Sequence, residues 1–238
     1  MAIQVAEQMS DYLLTGAVSN ALNMPSVTSE EAKVMAPWLQ LVGYLGAFIG
    51  QMTDEPINAI NILYDGTVSG MNLEALNCGV IAGIMKTGNP DVNMVSAPVI
   101  ALERGIQIST TNQNKSGVFD AYIKVTVVTP KRERSVAGTV FSDRKPRFIQ
   151  IKGINVDAAI GRHMLYTTNT DVPGIIGLLG TIMGRNGVNI ANFTLGRADA
   201  GGEAIALLNV DEAIEDNLLA DLGATGKFSQ VSRLEFDV

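Results

Sequence analysis

The clearest pattern of hydrophobic and polar positions lies between residues 164 and 195. Large apolar side chains recur there at the spacing of one helix face: Ile175, Leu178, Leu179, Ile182 and Met183. Gly187 follows them as a helix stop, and β-prone runs flank the helix at Tyr166–Asn169 and Val188–Leu195. The segment therefore predicts a strand, a turn, a helix and a second strand.

Three further elements continue this pattern to the last residue. The sequence predicts a strand at Ala204–Val210, a helix at Glu212–Leu222 that Asp211 opens, and a strand at Phe228–Val238. The order βαββαβ gives a ferredoxin-like plait of four antiparallel strands with two helices on one face. We assign it to a domain at residues 160–238.

A central segment, residues 55–156, mixes helical and strand periods. Helical spacing predicts helices at Met71–Lys86 and Val95–Arg104. Strands are predicted at Asn58–Tyr64, Ile106–Thr111, Ala121–Val128, Ser135–Phe141 and Arg147–Ile151. This is a mixed α/β domain of about a hundred residues, with its boundary near Gly153. The expected fold class of the whole chain is α/β (α+β).

The first segment, residues 1–54, is predicted to be helical from Ala2 to Met52, with a loop at residues 23–26. Thr28 and Glu31 have the spacing of a capping box. Because Pro37 disfavours a helical residue before it, we expect a break at Ala36 and a second helix at Trp38–Gln51. The two helices cannot bury their apolar faces alone, so this segment is expected to be a connecting arm of a larger protein.

Composition narrows the classes of function. Of the 238 residues, 47% are hydrophobic and 17% charged, and the net charge is −7. An acidic chain of this kind argues against nucleic acid and anionic membranes as partners. Cys78 is the one cysteine, which suits a cytoplasmic protein, and the apolar run Leu39–Ile49 is too short to span a bilayer.

The sequence contains no candidate residues for a catalytic site or a metal site. His163 is the one histidine, and no nucleophile or carboxylate has a spacing that pairs with it. No glycine fingerprint for a dinucleotide opens a helix, and one Cys with one His cannot form a metal cluster. We therefore expect no catalytic residue, no metal and no cofactor in this chain.

The turn before the predicted helix at residue 175 is suited to a small anion. Pro173 is expected in the first helical turn, where its missing N–H costs nothing. The N–H groups from Gly174 to Gly177 are free of helical partners, and the helix dipole adds positive charge. No Lys follows the glycines as a phosphate loop requires. An amino-acid carboxylate fits better than a nucleotide.

Six of the seventeen basic residues lie within positions 131–147. They are Lys131, Arg132, Arg134, Arg144, Lys145 and Arg147. One interpretation is a pair of solvated hairpin tips. The other is a phosphate or carboxylate site between the second and third segments, formed by Arg144, Lys145, Arg147 and Arg162, with Arg147 as its main residue.

The pattern D-x-P-G at residues 171–174, followed by G-V-N-I at residues 187–190, resembles the ACT domain, an amino-acid-sensing module. The resemblance implies an L-serine site between two ACT domains. It transfers the site to Asn169, Asp171, Pro173, Gly174 and Asn189, with Asp171 receiving the ligand ammonium. Many members of that family have Arg where this chain has Val172, so an ACT fold kept only for assembly is the alternative.

The whole chain resembles the C-terminal part of the long-form D-3-phosphoglycerate dehydrogenase family. The matching stretches include LEALNCGVIAGIMKTGNPDVNMVSAPVIALERG and AGTVFSDRKPRFIQIKGINVDA. The resemblance implies a helical arm at 1–54 that leaves a missing catalytic core, an allosteric substrate-binding-like intervening domain, and a regulatory ACT domain that self-associates. The NAD site and the catalytic residues of that oxidoreductase would lie upstream, so this chain alone is expected to be inactive.

Two other classes stay open. The β-type chain of an iron–sulfur L-serine dehydratase has the same domain order, but it carries a Ser-Ser-Ser-His-Thr-like stretch near its start that this sequence lacks. A free-standing amino-acid-sensing module is the second. A catalytic core in the neighbouring coding sequence would favour the dehydrogenase interpretation over both.

Overall fold

The computed structural model describes residues 5–10, 29–115 and 118–238. The chain divides into two compact units, residues 1–146 and 147–238. Residues 5–10 are helical, as predicted, whereas Thr28 of the predicted capping box lies outside the described residues. The predicted domain limits near residues 54 and 156 stay predictions.

The first unit combines helices with a mixed sheet. Its helices are α1 (Ser29–Met52), α2 (Leu73–Lys86) and α3 (Ser96–Glu103), and its strands are β1 (Ala59–Gly66), β2 (Gln107–Gln113), β3 (Ala121–Val128) and β4 (Glu133–Val140). The strand order is β2-β1-β3-β4, in which β1 and β2 are parallel and the other pairs antiparallel. The predicted α/β content of this part of the chain is confirmed.

Glycines allow α1 and α2 to pack with their backbones in contact. A Cβ at Gly46 would lie 2.4 Å from the Val80 carbonyl oxygen, and one at Gly83 would lie 2.6 Å from the Gly43 carbonyl oxygen. By length and composition α1 could cross a bilayer, but 61% of its apolar window is buried inside the protein. Its hydrophobicity is therefore explained by packing in the core.

The predicted helix break at Ala36 is wrong, because α1 continues through Pro37. A proline lacks the N–H that would bond to the carbonyl four residues earlier, which is that of Lys33. Arg144 donates a guanidinium hydrogen bond to this Lys33 oxygen. Met35 and Trp38, on either side of the proline, are both buried, so packing and a substitute donor together offset the cost of the proline.

The second unit contains the predicted plait. Its elements are β5 (Pro146–Ile151), β6 (Ile154–Ala159), β7 (His163–Thr170), α4 (Ile175–Arg185), β8 (Ile190–Arg197), β9 (Glu203–Val210), α5 (Asp216–Ala224) and β10 (Phe228–Glu235). The antiparallel order β10-β7-β9-β8 is that of a ferredoxin-like βαββαβ fold. The prediction of this fold is confirmed.

Alternation along the strands gives this sheet two apolar faces. On one face, Leu165 and Leu208 form a buried core with Leu179 of α4 and Leu222 of α5. The other face is covered within the unit, where the rings of Phe148 on β5 and Phe236 lie 5.9 Å apart. The β5–β6 hairpin thus supplies the second layer of packing.

The strand β6 was not predicted, because Gly153 was interpreted as a domain boundary. Lys152 and Gly153 both have positive φ, 52° and 81°, and form a two-residue turn between β5 and β6. Two positive φ values are the signature of a type I′ hairpin turn. A lysine at the first position conceals this turn, since Asn or Asp is the usual residue there.

The predicted start of the last helix is also wrong by four residues, because α5 begins at Asp216. The acidic side chains expected to open it have other partners. Asp211 accepts a hydrogen bond from the Asn189 side chain, and Glu212 accepts one from the Asn189 backbone N–H. They hold the start of β8 instead of capping a helix.

Candidate functional site

The turn between β7 and α4 places backbone donors at a helix start. Gly174 is the N-cap residue, with a left-handed φ of 94°, and no side chain caps the helix there. The first helical hydrogen bond runs from the Leu178 N–H to the Gly174 carbonyl. Helical N–H groups before Leu178 have no carbonyl within the helix to bond. Pro173 precedes the N-cap residue, so its predicted position in the first helical turn is wrong, because the left-handed Gly174 starts the helix after it.

Asp171 lies beside this turn and forms an ion pair. Its Oδ2 accepts from Arg197 Nη1 at 2.9 Å and from the Gly201 N–H at 3.4 Å. The Arg197 hydrogen bond, followed by that of Gly201, holds the pKa of this carboxyl below its ordinary value. Asp171 is therefore an anion at neutral pH, as a residue that receives an ammonium group must be.

Asn169 is buried near the end of β7, two residues before Asp171. Its Nδ2 donates to the Thr170 carbonyl at 2.7 Å, while its buried Oδ1 has no hydrogen-bond partner among the described residues. The hydroxyl of Thr167, also buried, is in the same situation. Buried polar atoms without partners cost about 1–3 kcal/mol each. Both atoms are buried, so only a ligand or a water molecule that enters the interior could bond to them.

Asn189 lies at the opposite end of the same sheet. It directly precedes β8, whose first residue pairs with Val210, whereas Thr170 at the end of β7 pairs with Glu203. The eight-residue strand β9 separates these ends by roughly 25 Å. The structure therefore brings Asn169, Asp171, Pro173 and Gly174 together, but within one chain it does not bring Asn189 to them.

Arg197 is a site residue that the sequence analysis missed. It ends β8 and lies against Asp171, with its own side chain 63% exposed. No motif marks it, since it becomes a neighbour of Asp171 only when β8, β9 and β7 align in the sheet. Val172, which follows Asp171 in the sequence, is 46% exposed. Arg197 thus supplies a guanidinium in the same neighbourhood.

The predicted anion-binding residues have different surroundings. In the first unit Arg144 donates to the Lys33 carbonyl, and Lys145 is exposed at the β4–β5 turn. In the second unit Arg147 Nη1 lies 3.4 Å from Asp157 Oδ1, and the Arg162 side chain is exposed. Two of the four cations therefore have protein partners, and the site stays a prediction.

Two more cations of the basic cluster lie beside Glu55. Arg132 forms an ion pair with it at 2.8 Å, and Lys131 lies 3.8 Å away. The hydrogen bond from Arg132, then that from Thr129, lowers the pKa of Glu55. This part of the cluster joins the β3–β4 turn to the segment before β1.

The expectation that no carboxylate pairs with His163 is wrong, because Glu235 lies beside it in the structure. His163 Nδ1 lies 2.6 Å from Glu235 Oε2, and the two residues are directly opposite each other on β7 and β10. Within the described ranges, no group of three His, Cys, Asp or Glu side chains is arranged to hold a metal ion. The histidine acts as a cross-strand partner here.

Comparison with known proteins gives one family. The sequence profile of the D-3-phosphoglycerate dehydrogenase intervening domain matches residues 34–152. The D-3-phosphoglycerate dehydrogenase of Bacillus subtilis is 31% identical over 223 residues, which cover 93% of this chain and 42% of that protein. Those of Synechocystis sp. and Methanocaldococcus jannaschii are 29% and 28% identical, over 93% and 90% of this chain and 40% and 41% of theirs. The chain thus spans about two fifths of the length of these relatives.

Proposed function

Because the chain belongs to the D-3-phosphoglycerate dehydrogenase family, we propose that it is the regulatory and oligomerisation region of such an enzyme, acting in cytoplasmic L-serine biosynthesis. The second unit is an ACT-type module in this proposal. It binds L-serine or a related small amino acid at a site shared by two copies of the chain. The catalytic chemistry and the NAD of the relatives belong to residues outside this region.

The position of β8 is the observation that carries the proposal. β8 is an edge strand, with Asn189 before its first residue and the Arg197–Asp171 pair at its last. Antiparallel pairing of β8 with β8 of a second copy would continue the sheet. Such pairing puts Asn189 of each copy next to Asp171 and Arg197 of the other. Asn189 and Asp171, which lie far apart within one chain, would then meet at two equivalent positions in the pair of chains.

The polar groups at this position complement an amino acid. The free N–H groups at the start of α4 and the Arg197 guanidinium are donors for a carboxylate. The ionised Asp171 and the Oδ1 atoms of Asn169 and Asn189 are acceptors for an ammonium group. A small polar side chain such as that of serine can hydrogen-bond to the same polar groups.

Exposed apolar side chains surround the same region. Val172, Ile176 and Leu195 are 46%, 55% and 45% exposed, although all three are large and hydrophobic. Apolar residues grouped in this way are typical of surfaces that another chain covers. Their position around the start of α4 and on β8 supports an interface there rather than at the other edge strand.

A shared site provides a physical route to regulation. A ligand that contacts two copies favours the arrangement for which it has the higher affinity, and only by that difference. Coupling free energies of this type are commonly about 1–3 kcal/mol. The amino acid would thus act on an attached catalytic core by selecting one arrangement of two copies. The anion site predicted from Arg144, Lys145, Arg147 and Arg162 remains a separate prediction that this proposal does not require.

Thermal unfolding with L-serine tests the proposal. At a hundredfold excess over its dissociation constant, a ligand stabilises a folded protein by about 2.7 kcal/mol, which raises Tm by roughly 5–10 °C here. We expect this shift for the wild type and for Asp199→Asn, an exposed acid in the nearby loop. We expect no shift for Asp171→Asn. Equal shifts in all three proteins, or none in the wild type, would contradict the proposal.

A further inference from the structure

The first unit has an edge strand that is exposed on both faces. β2 is the terminal strand of its sheet and pairs in parallel with β1. Six consecutive residues, Gln107 to Asn112, are exposed. Because β2 pairs with only one strand among the described residues, its other row of backbone N–H and C=O groups is open to a further strand.

β2 lacks the features that normally protect an edge strand from pairing. Its seven residues, QISTTNQ, include no charged side chain and no proline. Its register with β1 is continuous from Gln107 to Gln113, without a bulge. Short length, charge, proline and bulges are the usual means of preventing edge pairing, so this edge is an unprotected template.

Large apolar side chains lie next to this edge in the sequence. α3, which leads into β2, buries the small residues Ala97 and Ala101 but exposes Val99 and Leu102 by 55% and 78%. Ile108 of β2 is 40% exposed. A helix with its small residues buried and its large apolar residues outward is typical of a surface that a partner covers.

We propose that β2 pairs antiparallel with β2 of a second copy of this chain, around a two-fold axis at Thr110. Ser109 then lies opposite Thr111 of the other copy, and Ile108 opposite Asn112. Thr110 accepts from Asn77 of α2, so positions 108, 110 and 112 share the α2 side of the sheet. Opposed side chains therefore lie on the same face in both copies, as a continuous sheet requires.

The composition of the edge favours a second copy over another protein as its partner. The chain has a net charge of −7, so two copies repel each other at long range. Along β2 no like charges meet, because the strand is uncharged. In this register hydroxyl side chains face each other at positions 109 to 111, and Gln107 faces Gln113, whereas Ile108 faces Asn112. An uncharged strand also offers no charge pattern by which a different partner would be selected.

Disulfide trapping tests the register directly. In the full chain with Cys78→Ser, Thr110→Cys places two thiols on the axis, about 4.5–5.5 Å apart at their Cα atoms, within the range of a disulfide. Mild oxidation should give a covalent dimer on a non-reducing gel. Gln107→Cys is the matched control on the same exposed strand. Its two copies would lie roughly 20 Å apart and should stay uncrosslinked.

Charged substitutions on β2 provide an independent test. Thr111→Lys adds a positive charge to each edge strand and should reduce the molar mass of the assembly, measured by sedimentation velocity, by about half. Adding Ser109→Asp places opposite charges across the axis and should restore the mass. Stabilisation by L-serine should persist in both variants, which separates this interface from the ligand site. Equal crosslinking at positions 107 and 110, no crosslinking at 110, or an unchanged mass in Thr111→Lys would overturn the proposal.

Discussion

Arg144 stabilises α1 at the position where Pro37 removes a helical hydrogen bond. The Lys33 carbonyl has no donor from Pro37, and the Arg144 side chain supplies one from the turn after β4. A positive φ of 63° at Arg144 is part of that turn. A residue that the sequence analysis assigned to anion binding therefore has a structural role in the first unit.

A double-mutant cycle tests this role. Arg144→Ala should lower the free energy of unfolding by about 1 kcal/mol, the usual contribution of one hydrogen bond. In a Pro37→Ala background the cost should fall close to zero, because the new N–H bonds to Lys33 within the helix. Urea unfolding measures both, with Lys145→Ala as the exposed control. An equal cost of Arg144→Ala in the two backgrounds would disprove the role.

Asp171 should make stability depend on pH in acid solution. Its pKa in the folded protein lies below the ordinary carboxyl value, chiefly because Arg197 donates to it. Its contribution is therefore complete above that ordinary value and is lost as pH falls through the lower, folded value. The stability difference between wild type and Asp171→Asn should shrink between about pH 5 and pH 3. A constant difference over that range would contradict the ion pair.

The sequence predicts best those helices and strands that bury one regular face, because burial fixes the spacing of their apolar residues. α4 and β9 were found within a residue or two, because each buries a regular face in the core of the second unit. β6 was missed because its turn uses Lys152 in a left-handed conformation, and the start of α5 because Glu212 bonds to Asn189. These outcomes depend on contacts that local periodicity does not encode.

The same limit applies to the candidate site. The helix start at Gly174 and the nearby Asp171 could be predicted, since both follow from the local D-x-P-G pattern. Arg197 could not, because its contact with Asp171 depends on the alignment of strands that are distant in sequence. Sequence patterns identify backbone donors at turns more readily than they identify side chains that meet across a sheet.

The packing of α1 on α2 can be tested with two glycines. Gly83→Ala would place a Cβ 2.6 Å from the Gly43 carbonyl oxygen, so the helices must separate, at a cost of about 1–3 kcal/mol or more. Gly43→Ala is the matched control. Apart from its own stretch of helix, no described part of the protein lies within 4 Å of its added Cβ, so the helix should gain about 0.5–1 kcal/mol. Chemical unfolding in which both variants behave alike would contradict this packing.

At the scale of the whole molecule, the central claim is that two copies share each amino-acid site. Each site would use Asp171 from one copy and Asn189 from the other, so every two-fold pair has two equivalent sites. A defect at either residue, present in both copies, damages both sites. A pair formed from two different defective chains, however, keeps one site in which both residues are intact.

Subunit mixing uses this difference and is the most direct test of the claim. Asp171→Asn and Asn189→Ala chains are each assayed for bound L-serine by equilibrium dialysis, then mixed in equal amounts, exchanged and assayed again. We expect no measurable binding to either variant alone. Random pairing makes half of the pairs mixed, so the mixture should bind about one serine per four chains, a quarter of the wild-type value. A mixture that binds no more serine than its separate components would contradict a site shared between copies.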